Sequence, residues 1–96
     1  MIRFLYAAVI AGAAFVATAS GVQAADRDFC REYTDAALVQ VRAALSMPRC
    51  AERFDPGPRW STDRAVHFKW CRGVSRDAAN DEREARKDFI ERCRRW

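Results

Sequence analysis

The sequence predicts an all-α domain, a three-helix bundle stapled by two disulfides and preceded by a leader that export removes. Three observations carry this expectation. In the last three quarters of the chain, apolar residues recur at helical spacing, and no stretch alternates long enough to be a strand. Four cysteines, Cys30, Cys50, Cys71 and Cys93, are spread through that part. The first quarter has the three-part layout of a secretory signal peptide.

That leader begins with the short positive start Met1-Ile2-Arg3. Residues 4–19 are apolar apart from Gly12 and Thr18, and Val22-Gln23-Ala24 places small residues where a signal peptidase needs them. Cleavage is expected after Ala24, which divides the chain into a signal peptide at 1–24 and a disulfide-stabilised helical domain at 25–96. The competing reading is a membrane anchor. A spanning helix wants about 20 apolar residues, and this run is shorter and rich in alanine, so no transmembrane segment is expected in the mature chain. Lipidation is not expected either, because Cys30 follows Arg27-Asp28-Phe29 rather than the end of the apolar run. The expected location is the periplasm or the medium.

With 96 residues the chain has room for one domain, and a domain this short buries only about 60% of its unfolded surface. An even number of cysteines in a small exported chain reads as disulfides, each contributing roughly 2–5 kcal/mol. Loss of Arg3 lowers the formal net charge from +4 to +3, and 15 of the 17 basic residues are arginine. The 13 acidic residues are interspersed with them, so the surface is mildly basic rather than polycationic. That balance favours solubility and loose association with acidic surfaces, and it does not point to nucleic acid.

Taken in order, Asp26 or Asp28 can cap a first helix. Steps of 100° put Cys30, Tyr33, Thr34, Ala37, Leu38, Val41, Ala44 and Leu45 on one face, opposite Arg31, Asp35 and Arg42. This helix ends near Ser46-Met47, because Pro48 disfavours helical geometry in the residue before it. Residues 48–60 read as one long connection, with a turn or extended segment at Pro56-Gly57-Pro58. Trp60 to Cys71 holds two of the three tryptophans and the only histidine. It reads as a short central helix, about 62–72, that both flanking helices pack against, with Val66, His67, Trp70 and Cys71 on its apolar face. Gly73 stops it, and Ser75 caps a last helix whose first turn contains Asp77. The apolar face of that helix takes in Ala78, Ala79, Glu82, Ala85, Arg86, Phe89, Cys93 and Trp96. Its outer face offers the i,i+4 pairs Asp88/Arg92 and Glu91/Arg95.

Helix length restricts the cysteine pairing. Cys30 and Cys50 bracket the first helix and lie roughly 25 Å apart at 1.5 Å per residue. Cys71 and Cys93 bracket the last helix in the same way. Bridged Cα atoms must come within about 7 Å, so neighbours in sequence do not pair. An up-down-up arrangement joins Cys30 to Cys71 and Cys50 to Cys93, the preferred pairing. Cys30–Cys93 with Cys50–Cys71 stays open, because the long connection could carry the chain back along the bundle.

Three groups of residues could carry chemistry. His67 and Cys71 stand one turn apart, as a Cys–His nucleophile or half of a metal site would require. In an oxidising compartment a core histidine beside a disulfide is the favoured reading. Glu82 and Arg86 point into an apolar face, either as a pocket for a charged ligand or as a buried structural pair reaching His67, Tyr33 or Gln40. Structure is favoured, since buried charges need partners. Arg92, Arg94, Arg95 and Trp96 combine basic and aromatic character, as nucleic-acid contacts and helices on anionic membranes do. The alternative is a solvated end with Trp96 folded onto the bundle. The chain shows no phosphate loop, EF-hand loop, zinc spacing or triad, so no catalytic residue, metal or cofactor is expected. Tyr33, Trp60, His67, Trp70, Glu82, Arg86 and Phe89 are the expected structural core.

At Cys30-Arg31-Glu32-Tyr33, Arg59-Trp60-Ser61, His67-Phe68-Lys69-Trp70-Cys71 and Arg92-Cys93 the chain resembles small exported bacterial four-cysteine helical proteins. These share a C-x-x-Y, R-W-S, H-x-x-W-C and terminal-cysteine pattern, and the resemblance covers nearly all of residues 29–93. It implies the fold and export and carries over no activity. The expected function is therefore that of a non-catalytic binding or structural module. Its partner would be a protein or an anionic envelope component that meets an arginine-rich outer face. The alternative is a secreted membrane-active or effector peptide acting on anionic envelopes through its last helix.

Overall fold

Asp26 starts the first helix. Its backbone is extended (φ −79°, ψ 174°) and its carboxylate accepts a hydrogen bond from the Phe29 N–H at 2.8 Å, occupying one of the donors a helix start leaves unpaired. The computed structural model describes residues 23–55 and 57–96, and all regular structure in them is helical. The order is α1 (Arg27–Leu45), α2 (Pro48–Ala51), a 3-10 turn (Pro58–Trp60), α3 (Arg64–Arg72) and α4 (Arg76–Cys93). Nearly all of the expected signal peptide lies outside the described residues. No described helix is long and apolar enough to cross a membrane.

The helix starts follow from local sequence. Asp63 caps α3 by accepting from the Ala65 N–H at 2.9 Å, and Ser75 caps α4 by accepting from the Ala78 N–H at 3.1 Å. Residues 48–60 are more structured than a single connection. Met47 before Pro48 is extended, as a pre-proline residue should be. Pro48 itself then occupies the first turn of α2, where its missing N–H costs nothing. Gly57 has φ +148°, a region that favours glycine, and it turns the chain into Pro58–Trp60.

The hub of the bundle is α1, not the helix after Trp60. It packs against α2, α3 and α4, whereas the 3-10 turn and α1 are the chief neighbours of α3. The reason is the width of its buried stripe. Cys30, Tyr33, Thr34, Ala37, Leu38, Val41 and Ala44 are all buried, and the small ones among them let helices approach from two sides. With nine residues, α3 buries only His67 and Cys71. Leu45, expected on the buried face, is 45% exposed, because the packing of α1 ends at Ala44. Ile90, one turn after Arg86, is buried although the sequence reading passed over it.

The core is split into two clusters, each built on a disulfide. Cys30–Cys71 (Cα–Cα 5.6 Å) sits with Ala25, Tyr33, Ala37 and Ala79, flanked by Phe29, Phe68, Trp70 and Val74. Cys50–Cys93 (Cα–Cα 5.3 Å) sits with Val41, Ala44, Trp60 and Ile90, flanked by Met47, Phe54, Phe89 and Trp96. The preferred pairing is thus the one present. Ala25, where the mature chain is expected to begin, is buried, and its N–H donates to the Val74 carbonyl at 2.7 Å. The pairs Asp88/Arg92 and Glu91/Arg95 do not close among the described residues. The ion pairs present are Arg31–Asp28, Arg59–Glu82, Arg64–Asp35, Arg76–Asp26 and Arg86–Glu82.

Few large aliphatic side chains are fully buried, so the bridges should dominate stability. Replacing Cys50 and Cys93 together by alanine should lower the unfolding free energy by about 2–5 kcal/mol in urea titrations followed by circular dichroism. A loss below about 1 kcal/mol would show that the apolar clusters hold this end unaided.

Candidate functional site

Between the two clusters lies a charged layer, and a cleft opens onto it. Arg86 is its centre. The residue sits on α4, fully buried and facing α1, because Ala79, Arg86, Ile90 and Cys93 share one helix face. A buried guanidinium needs partners. Its Nε–H donates to Gln40 Oε1 at 2.7 Å and an Nη2–H donates to the Tyr33 hydroxyl at 2.9 Å. Gln40 in turn donates through Nε2 to the Arg83 carbonyl at 3.0 Å. The third nitrogen, Nη1, has no hydrogen-bond partner; the nearest Glu82 oxygen is 3.7 Å away.

Glu82 belongs more to Arg59 than to Arg86. Arg59 donates to it through Nε and through Nη2, the latter at 3.0 Å, in the two-pronged geometry that guanidinium and carboxylate favour. These bonds to Glu82, opposed by burial, push the Arg59 pKa above its usual value, so the group stays cationic. Arg59 comes from the 3-10 turn that Gly57 and Pro58 create. The cleft encloses about 340 Å³ and is lined by Tyr33, Val66, His67, Trp70, Glu82 and Arg86 on the helices, and by Asp55, Gly57, Pro58 and Arg59 on the connection.

His67 closes one side. It is 3% exposed, and Nε2 lies 2.7 Å from the Ser61 carbonyl oxygen. A carbonyl only accepts, so the proton is on Nε2 and the neutral ring keeps Nδ1 as an acceptor. Burial holds its pKa below the ordinary histidine value; the Ser61 carbonyl opposes that, and the nearby Arg86 charge adds to it. Cys71 is bonded to Cys30, so His67 has no thiolate beside it. Burial likewise pushes the Tyr33 hydroxyl up, against the pull of Arg86. No group of three His, Cys, Asp or Glu side chains among the described residues could hold a metal ion.

Comparison with family models, curated proteins and solved structures finds no match. The site therefore rests on its own geometry. Of the residues singled out in the sequence, Tyr33, Trp70, His67, Glu82 and Arg86 come together at the cleft. Trp60 and Phe89 do not. They lie at the other end, where Trp60 stacks on Phe54 with centroids 4.5 Å apart and Phe89 packs tilted against Trp60 at 5.0 Å. Trp96 follows the end of α4 and meets Phe89 edge-on, with the Arg53 guanidinium 4.4 Å from its ring centroid. Arg92, Arg94 and Arg95 are exposed around it. Sequence reasoning missed Arg59 and Asp55 as cleft residues. Their one signal was the Pro56-Gly57-Pro58 turn between them, which says that the chain reverses and not where it lands.

Arg86→Met keeps the length of the side chain but strands Gln40 and Tyr33 without their donor. Urea unfolding should show a loss of roughly 2–4 kcal/mol, and a change within about 0.5 kcal/mol would contradict the network. The histidine supplies a second test. Its folded pKa is depressed, so in the window below about 6.5 the unfolded chain binds the extra proton, and stability falls as pH drops. His67→Gln should flatten that slope between about pH 7 and pH 5. The Asp26 carboxyl, held below its ordinary value by the Phe29 N–H, loses its contribution only below that window. An unchanged slope in the variant would place the titration elsewhere.

Proposed function

We propose that this is a small exported protein that binds a ligand without transforming it, and that the cleft beside Arg86 is where it binds. The observation that carries this reading is how the ionisable groups of the cleft are used. His67 donates to Ser61, Glu82 is gripped by Arg59, and Arg86 is anchored by Gln40 and Tyr33. Each holds another part of the fold in place, which suits a preformed binding surface and leaves little to move a proton. Two disulfides fit an oxidising compartment, the periplasm or the medium. No nucleic acid, metal or cofactor enters this reading. Its resemblance to small exported four-cysteine proteins agrees with this placement.

A second reading has one observation in its favour. Arg92, Arg94 and Arg95 stand exposed beside the half-buried Trp96, and none of the three forms an ion pair among the described residues. An anionic envelope surface would attract such a corner. Against membrane disruption, Trp96 is packed on Phe89 under Arg53.

Saturation-transfer NMR with a mixture of small acids, amides and amines tests the first reading. At least one class should receive saturation from the protein and be recovered chemically unaltered after prolonged incubation. Turnover of any component would contradict a purely binding role. Dye-loaded vesicles rich in anionic lipid should stay sealed when the protein is added, and rapid leakage would favour the second reading.

A further inference from the structure

The hydrogen-bond donors in the cleft outnumber the acceptors that meet them. Two guanidiniums, Arg59 and Arg86, both turn to the carboxylate of Glu82. Each has five N–H donors. Arg59 uses Nε and Nη2 on Glu82, and Arg86 uses Nε and Nη2 on Gln40 and Tyr33. The Nη1 group of Arg86 is buried with no acceptor, in a residue that lines the cleft. His67 contributes no negative charge, and its proton points at Ser61. Asp55 is the other acid of the lining; it is exposed on the connection and forms no ion pair among the described residues. Beside Glu82, therefore, the Nη1 donors of Arg86 stay unused while the Glu82 oxygens are taken by Arg59, and the free carboxylate of Asp55 lies out on the exposed connection. A cation would find Glu82 already gripped twice by Arg59, with Arg86 behind it.

The walls are of a different kind. Trp70 and Val66 are half-buried along α3, and the Trp70 ring lies 5.7 Å from that of Tyr33. Pro58 faces the same space from the connection. At about 340 Å³ the volume is at the small end of the range, roughly 300–1,000 Å³, of ligand clefts. A flat apolar body against Trp70 with one anionic head towards the arginines would satisfy both surfaces.

Building on the binding role proposed above, we infer that the cleft takes a small carboxylic acid with an aromatic or similarly flat apolar body. Its carboxylate is received by Arg59 and the field of Arg86, and its body rests on Trp70 and Val66. Guanidinium is suited to this task because its planar donors match a carboxylate.

The test uses indole-3-acetate and benzoate against their amides and the matching amines, tryptamine and benzylamine, on the full disulfide-bonded protein at neutral pH. The Trp70 indole resonance, assigned with Trp70→Phe, reports occupancy. Both acids should shift it saturably, and the amides should bind roughly tenfold more weakly or worse. Arg59→Gln should weaken the acids by a similar factor and leave the amides unmoved. Arg59 is an exposed residue on a turn, and the melting temperature of the variant verifies that it is folded. Equal binding of acid and amide, or a preference for the amines, would overturn the carboxylate assignment while leaving the cleft a binding site. If no probe of any class moves Trp70, the cleft is not the site, and the binding role itself loses its support.

Discussion

Two sulfur bridges, one joining α1 to α3 and the other joining the short α2, just past the end of α1, to α4, hold the bundle together around α1, and the rest of the structure depends on that clamping. The helix is well made for the purpose. Its buried stripe alternates cysteine, threonine and alanine with Tyr33, Leu38 and Val41, so backbones approach closely and few large apolar side chains are available to fill space. A hub of this kind gains little from hydrophobic burial alone. Cys30–Cys71 holds α3 to the start of α1, and Cys50–Cys93 holds the end of α4 to the short α2 beyond its finish. The apolar side chains then gather around each bridge as two separate clusters.

Between the clusters the fold spends its remaining core volume on charge. A buried arginine is costly unless its donors find acceptors. Arg86 finds them on α1, in Gln40 and Tyr33, and finds its countercharge in Glu82 one turn back along α4. The arrangement ties α4 to α1 between the two apolar clusters. It also leaves a polar floor under the connection, and the connection supplies the wall and the second guanidinium. The same residues that complete the core thus make the cleft, which is why fold and candidate site cannot be separated here.

The helices were largely legible because their signals are local. Ser75 caps α4 and Asp26, one of two candidates, caps α1, and the 3.6-residue period marked every buried residue of α1 with Leu45 as the one excess. Helix length excluded pairing between sequence neighbours, and of the two pairings left open the preferred one is present. What escaped was long-range. The sequence stretch densest in tryptophan and histidine looked like the centre of the bundle, yet α3 is too short to have two packing faces. Pro48 was legible as the end of one helix and not as the first residue of the next, since proline serves both purposes. Arg59 was invisible as a partner of Glu82, because a glycine turn with φ +148° decides its direction. The charges of α4 suggested ion pairs along its own surface, whereas Glu82, the acid that matters most, reaches across to another element.

The dependence on crosslinking is tested most directly by counting thiols in the protein isolated from its native source while its unfolding is followed. Peptide mapping without reductant should find Cys30 joined to Cys71 and Cys50 joined to Cys93, and adding reductant should abolish the cooperative helical transition. A protein with four unoxidised thiols that still melts cooperatively as a helical domain would contradict the account.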